Sequence, residues 1–218
     1  MPVRKLKKSY QNVTGLFYSL RLKRLVQFDS ILERDFILLL DMHPAVRWFS
    51  EQPMKIRFID ETGVDQVYVP DFHIEFTSGR FLGRDVTRPW IVETKYRSDL
   101  AENWPKIRQK LRAGFREATR RNSQFHIVSE ACLSCIPLTN AKFVRPFLNS
   151  DLSAAMLDEV VAALRSAGRT TVRAFLTSQT WNYHTVDPRQ VIWSAIAKRM
   201  ISSDFEMPFG PETTIWVR

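Results

Sequence analysis

Residues 68–95, YVPDFHIEFTSGRFLGRDVTRPWIVETK, constrain the fold of this 218-residue chain more than any other stretch. They read as a strand ending in Pro70-Asp71, a polar connection, and a short strand carrying Glu93-Thr94-Lys95. Strand side chains alternate between faces. Glu93 and Lys95 therefore share one side, and Thr94 lies on the other with Val92. Two carboxylates on neighbouring strands repel each other, and a bound divalent cation removes that conflict. The pattern implies a metal-dependent site for phosphodiester hydrolysis.

The segments around this stretch support an α/β reading. Ser30–Met42 has the apolar spacing of a helix, with Leu32, Phe36 and Leu39 in one stripe, Ile37 and Leu40 widening it, and Pro44 ending it. Glu33 has two readings here. Ser30-x-x-Glu33 has capping-box spacing, while a carboxylate beside an apolar stripe needs something to satisfy it. Met54–Ile59 and Val67–Phe76 alternate as strands about a turn at Asp60–Gly63, and Trp90–Tyr96 is a third strand. A helix is expected from about Asn103-Trp104-Pro105, burying Ile107, Leu111, Phe115 and Ala118. On its other side Arg108, Arg112, Arg116 and Arg120 recur every fourth residue. Such a row is mildly self-repulsive, and a phosphate backbone would offset that. The competing reading is a solvated face. Gln124–Ser129 reads as a fourth strand, and Leu138–Leu148 as a short helix closing the domain near Asn149.

Charge separates the chain into two parts. Residues 1–150 hold 25 Lys and Arg against 16 Asp and Glu, and residues 151–218 hold seven of each. The excess positive charge thus accompanies the acidic motif, which points to a nucleic-acid partner for that part. Residues 1–29 read as a basic arm, with Lys7, Lys8, Lys23 and Arg24 as candidate phosphate contacts and aromatic residues interleaved; a solvated tail is the alternative, and Leu16, Phe17, Leu20, Leu25 and Val26 argue that its second half is anchored on the domain. The neutral remainder, 150–218, reads as three small helices and a final hairpin, a winged-helix-like partner-binding module that suits a protein at least as well as DNA. No apolar run approaches the ~20 residues of a membrane span, and no apolar signal core follows the basic N-terminus. A cytoplasmic, nucleoid-associated protein is expected. Cys132-x-x-Cys135 is half of a zinc site at most, since a second cysteine pair is lacking; two partly buried thiols are the simpler reading. His73 and Glu75 share the face of Asp71 by alternation and serve equally well as ordinary strand positions.

The order helix, hairpin, strand, helix, strand, with Glu33, Pro70-Asp71 and Glu93-Thr94-Lys95 at its key points, resembles the PD-(D/E)xK nucleases: a mixed sheet flanked by helices, like the restriction-endonuclease core, over residues 30–149. Val13–Ser19, Gln27–Asp35, Glu51-Gln52-Pro53 and Val69–Phe72 resemble the TnsA family, the endonuclease subunit of heteromeric cut-and-paste transposases. The resemblance implies Glu33, Asp71, Glu93 and Lys95 as catalytic residues. Glu33, Asp71, Glu93 and the Thr94 carbonyl would hold Mg²⁺, with Mn²⁺ able to substitute. It also implies cleavage of transposon 5′ ends in double-stranded DNA, a TnsB-like DDE transposase as partner, and a TnsC-like AAA+ ATPase engaging the C-terminal region. A stand-alone restriction or repair endonuclease and a non-catalytic nuclease-fold adaptor are the alternatives. Specific cutting by the protein alone would favour the first. Failure to bind Mg²⁺ or Mn²⁺ under any assembly condition would favour the second.

Overall fold

The computed structural model describes residues 13–181 and 186–217. Lys7 and Lys8, two of the expected phosphate contacts, lie outside them. The chain divides after Cys135 into two compact units. In chain order the first contains β1 (Gly15–Ser19), β2 (Arg24–Phe28), α1 (Ile31–Met42), β3 (Val46–Glu51), β4 (Ile56–Ile59), β5 (Asp65–Tyr68), β6 (Phe72–Phe76), β7 (Arg80–Phe81), β8 (Arg84–Asp85), β9 (Trp90–Thr94), α2 (Arg97–Arg120), β10 (Gln124–Val128) and α3 (Glu130–Leu133).

A mixed four-stranded sheet, ordered β10-β9-β6-β3, is flanked by helices. β3, β6 and β9 are antiparallel neighbours, and β9 pairs with β10 in parallel. That parallel pair needs a long crossover, which α2 provides. Phe72, Ile74, Trp90 and Val92 are buried on one face. Phe36 of α1 meets Phe72 there edge-on, with ring centroids 5.3 Å apart. Alternation puts Ile91, Glu93 and Phe125 on the opposite face, toward α2. Gly114 lets that helix come close: a Cβ at this position would lie 2.6 Å from the Phe125 ring and 2.9 Å from Tyr68.

Several expected boundaries move. Residues 13–29 are not an arm throughout, since β1 and β2 form an antiparallel hairpin. Arg21 at its turn donates to the Leu40, Asp41 and His43 carbonyls, and the buried Asp41 carboxylate accepts from Ser19 Oγ at 2.7 Å. Strand β3 is an addition to the expected set. The expected strand Val67–Phe76 is two strands. Pro70 has no N–H for a ladder, and β5 pairs with β4 in a separate ribbon while β6 enters the main sheet. Helix α2 starts at Arg97, so Pro105 lies inside it. Its buried residues are Leu111, Ala113, Gly114 and Ala118. Phe115, expected in the core, is 61% exposed.

The second unit comprises α4 (Ile136–Val144), a 3-10 turn (Arg145–Asn149), α5 (Ala154–Ala167), β11 (Thr170–Thr171), α6 (Val172–Ser178), α7 (Pro188–Ala197), β12 (Ser202–Ser203) and β13 (Thr214–Trp216). The expected division near Asn149 therefore falls earlier, ahead of α4. The buried side chain of Asn140 explains why: its amide donates to the Phe205 and Met207 carbonyls and accepts from the Phe209 N–H. Local signals set the helix ends. Ser153 caps α5, Gly168 at φ 74° stops it, and Asp187 with Pro188 opens α7. The three short strands form an antiparallel sheet ordered β11-β13-β12. No helix among the described residues is long and apolar enough to cross a membrane.

Candidate active site

Strand pairing brings the acids together. Phe72 is registered with Val92, and the next step outward sets Asp71 against Glu93. The Asp71 backbone is held on its other side, where the Gln52 N–H donates to its carbonyl at 2.7 Å. The Asp71 carboxylate accepts from both the Thr94 N–H and the Thr94 hydroxyl, each at 2.7 Å. Thr94, one of the expected metal-site residues, thus positions Asp71 through its amide and side chain.

Glu93 is 4% exposed. The Tyr68 hydroxyl donates to its Oε2 at 2.8 Å, and Lys110 Nζ to its Oε1 at 2.7 Å. Burial and then the Glu93 carboxylate push the Tyr68 phenol far above its usual range, so it is a firmly neutral donor.

Glu33 approaches this group from α1, and the cap that its spacing predicts is present. Ser30 caps the helix by accepting from the Glu33 N–H at 3.1 Å. The Glu33 carboxylate reaches back one residue further than a simple capping box, accepting from the Asp29 N–H at 2.8 Å. The same side chain feels the site acids. Burial, with a smaller contribution from the Asp29 and Glu93 charges, pushes its pKa up to about 7. Asp71 is raised well above the usual carboxylate range by burial, then by Glu93 and Glu33. Three oxygen-donor side chains whose charges oppose one another suit a hard divalent cation. In this arrangement each is held by protein donors. Among the described residues, no three His, Cys, Asp or Glu side chains are gathered closely enough to hold an ion as they stand.

Lys95 follows β9 and is half-buried, with its N–H donating to the Val128 carbonyl at 3.0 Å. The ammonium on Glu93 belongs to Lys110 instead. Lys110 and Tyr68 are the site residues that sequence reasoning passed over. Lys110 lies one turn before Gly114, so the signal was the correct phase of α2. The phase built on Phe115 turned Lys110 away from the sheet.

The basic residues divide by partner. Arg24 grips the buried Glu51 carboxylate with two bonds of 2.6 Å. This ion pair ties the β1–β2 hairpin to β3, with the Arg24 side chain still partly exposed. Lys23 is exposed at the hairpin turn. Arg108 pairs with Glu61, and Arg120 and Arg121 with Glu117. Arg112 and Arg116 are exposed and make no ion pair among the described residues. His73 lies beside Trp48, and Glu75 is 3.9 Å from Arg47. Cys132 is exposed and Cys135 half-buried, and neither forms a disulfide.

Residues 43–130 match the family described as TnsA-like endonuclease N terminal. The matched segment includes Asp71, Glu93, Lys95, Lys110 and the whole of α2, and it begins after Glu33. No curated protein matches the chain.

Proposed function

From the match of residues 43–130 to the TnsA-like endonuclease N-terminal family, we propose a Mg²⁺-dependent DNA endonuclease that cleaves the 5′ ends of a transposon during cut-and-paste transposition. One observation carries this reading: strand pairing sets Asp71 against Glu93 at one end of the sheet, with Glu33 of α1 near enough for its charge to act on the buried Asp71. An acidic cluster of this kind, kept in a solvent-poor position, favours a bound cation over water.

Asp71, Glu93 and Glu33 would hold the cation, with the Thr94 carbonyl beside them and Mn²⁺ able to substitute. When bound, Mg²⁺ supplies Lewis-acid stabilisation of phosphate charge and a more acidic water. The chain's own groups do the rest. Thr94 fixes the Asp71 carboxylate, and Tyr68 fixes that of Glu93. Lys95 orients the attacking water and offsets negative charge on the phosphate. Arg112 and Arg116 contact the DNA backbone. Changing both to Gln is expected to reduce the slope of log affinity against log salt by about 2. The equivalent change at Arg108 and Arg120, which already have acidic partners, should have a smaller effect. Equal slopes in the two double variants, measured by fluorescence anisotropy over a salt series, would remove Arg112 and Arg116 from the interface.

The second unit is proposed as a winged-helix-like, partner-binding domain. Its order of α5, β11, α6, α7, β12, β13 and its β11-β13-β12 sheet support that reading. Every residue of α7 from Val191 to Ala197 is buried, so this helix has little free face for a DNA groove. A protein partner fits better, and a TnsC-like AAA+ ATPase is proposed, with a TnsB-like DDE transposase cutting the 3′ ends. The protein would work in the cytoplasm, on the nucleoid.

The test is cleavage of an end-labelled transposon substrate with and without those two partners in Mg²⁺. A 5′-end cut that needs both the partners and an intact Asp71 is expected. Robust specific cutting by the protein alone would move the reading to a stand-alone restriction or repair endonuclease. Binding of DNA with no cutting and no metal uptake would make it an adaptor.

A further inference from the structure

Lys110 occupies the place where an entering cation would have to act. Glu93 is nearly out of solvent, and a buried carboxylate left without a counter-charge is costly. The Lys110 ammonium, on a side chain 26% exposed, provides that charge at 2.7 Å from Oε1. Oε2 is taken by Tyr68, a donor with no charge to offer. A metal ion binding through Glu93 therefore competes with Lys110 for Oε1. In the same position the lysine's Nζ lies 5.2 Å from the centroid of the Tyr68 ring, within the range of a cation–π contact. Its four-carbon stem can withdraw the charge without moving α2.

We propose that Lys110 is a positioning residue with a gating effect: its ammonium holds Glu93 in the metal-free protein and opposes divalent-cation binding until it leaves Oε1. This rests on the metal-site reading given above, with one addition. The helix that presents exposed Arg112 and Arg116 also carries the internal competitor for the metal. DNA phosphates beside α2 would draw the Lys110 ammonium outward, so DNA should favour metal uptake.

Titration of Mn²⁺ into the full-length protein tests this, followed by calorimetry and by the rise in Tm that Mn²⁺ produces. The comparison is between wild type, Lys110→Gln, Lys110→Met and Lys110→Arg at one pH and salt. Gln keeps a donor for Oε1 without charge, so Glu93 stays supported if the apolar variant fails to fold. Loss of the opposing charge is expected to tighten Mn²⁺ binding of the Gln variant about tenfold or more, with Arg near wild type. Equal or weaker binding by the Gln variant would overturn the role of Lys110 and leave the metal site standing. Absence of Mn²⁺ binding in every variant would overturn both the role and the site.

Discussion

Asp71→Asn is expected to abolish cleavage and yet to raise the melting temperature of the metal-free protein at pH 8. The first effect follows from the proposed role of Asp71 as a direct oxygen ligand of the metal. Substitution of groups that merely support metal ligands costs about 10–100-fold, and loss of the ligand itself should exceed that. The second effect follows from electrostatics. Burial, Glu93 and Glu33 all raise the Asp71 pKa, and burial with neighbouring charges brings Glu33 to about 7. Folding therefore favours the protonated forms of both acids. The stability they confer is fully present below the ordinary carboxylate pKa, and it is lost as pH rises through the raised values. Metal-free wild type should lose stability between about pH 5 and pH 8 for this reason. Asparagine removes one charge and still offers an oxygen to the Thr94 N–H and hydroxyl. The relief should appear as a higher Tm of the variant at pH 8. Saturating Mg²⁺ should reverse the order, because only wild type gains from binding. Thermal melts of both proteins at pH 5 and pH 8, with and without Mg²⁺, check all of this. A variant no more stable than wild type at pH 8 without metal would mean that these acids do not oppose one another.

Gly114→Val should be the most damaging single change in α2. The mean propensity of a helix interior favours a side chain over glycine by up to about 1 kcal/mol. Here the neighbours decide otherwise. A Cβ would sit 2.6 Å from the Phe125 ring and 2.9 Å from the Tyr68 ring, and neither is the free end of a flexible chain. Phe125 packs with Ile56, Tyr68 and Ala113, and Tyr68 is tied to Glu93 through its hydroxyl. Overpacking on this scale costs about 1–3 kcal/mol, and β-branching adds to it. The damage should also reach the site. A displaced Tyr68 loosens Glu93, so divalent-cation affinity should fall along with Tm. Chemical denaturation and Mn²⁺ titration of the variant test the two parts. A variant as stable as wild type would show that α2 can lift from the sheet at no cost.

These two residues also mark how far the sequence could be read. Asp71, Glu93 and Glu33 were legible because the Pro-Asp turn, the Glu-Thr-Lys strand end and the Ser-x-x-Glu cap are local signals. Helix α1, β9, β10 and the helices α5 to α7 were legible for the same reason, through period and capping. The β1–β2 hairpin was obscured by its lysines and arginines, which read as an arm. Arg21 and Arg24 are instead tied to backbone carbonyls and to Glu51, partners far away in sequence. The split of the expected strand 67–76 also depended on a distant choice. Alternation is the same whether a segment pairs with β4 or with β9, and Pro70 separates the two.

The phase of α2 was decided in the same way. Leu111 and Phe115 are a plausible buried pair by spacing alone. The sheet selects Gly114 instead, because only a residue without a side chain lets the helix approach Phe125 and Tyr68. That rotation carries Lys110 inward to Glu93 and leaves Arg112 and Arg116 exposed. By itself the sequence determined which residue types are present for the chemistry: three acids, the strand-end lysine and a basic helix beside them. Only the tertiary structure decided which lysine meets the buried acid. Short-range signals set where a helix starts and stops, while its rotation depends on the surface it packs against.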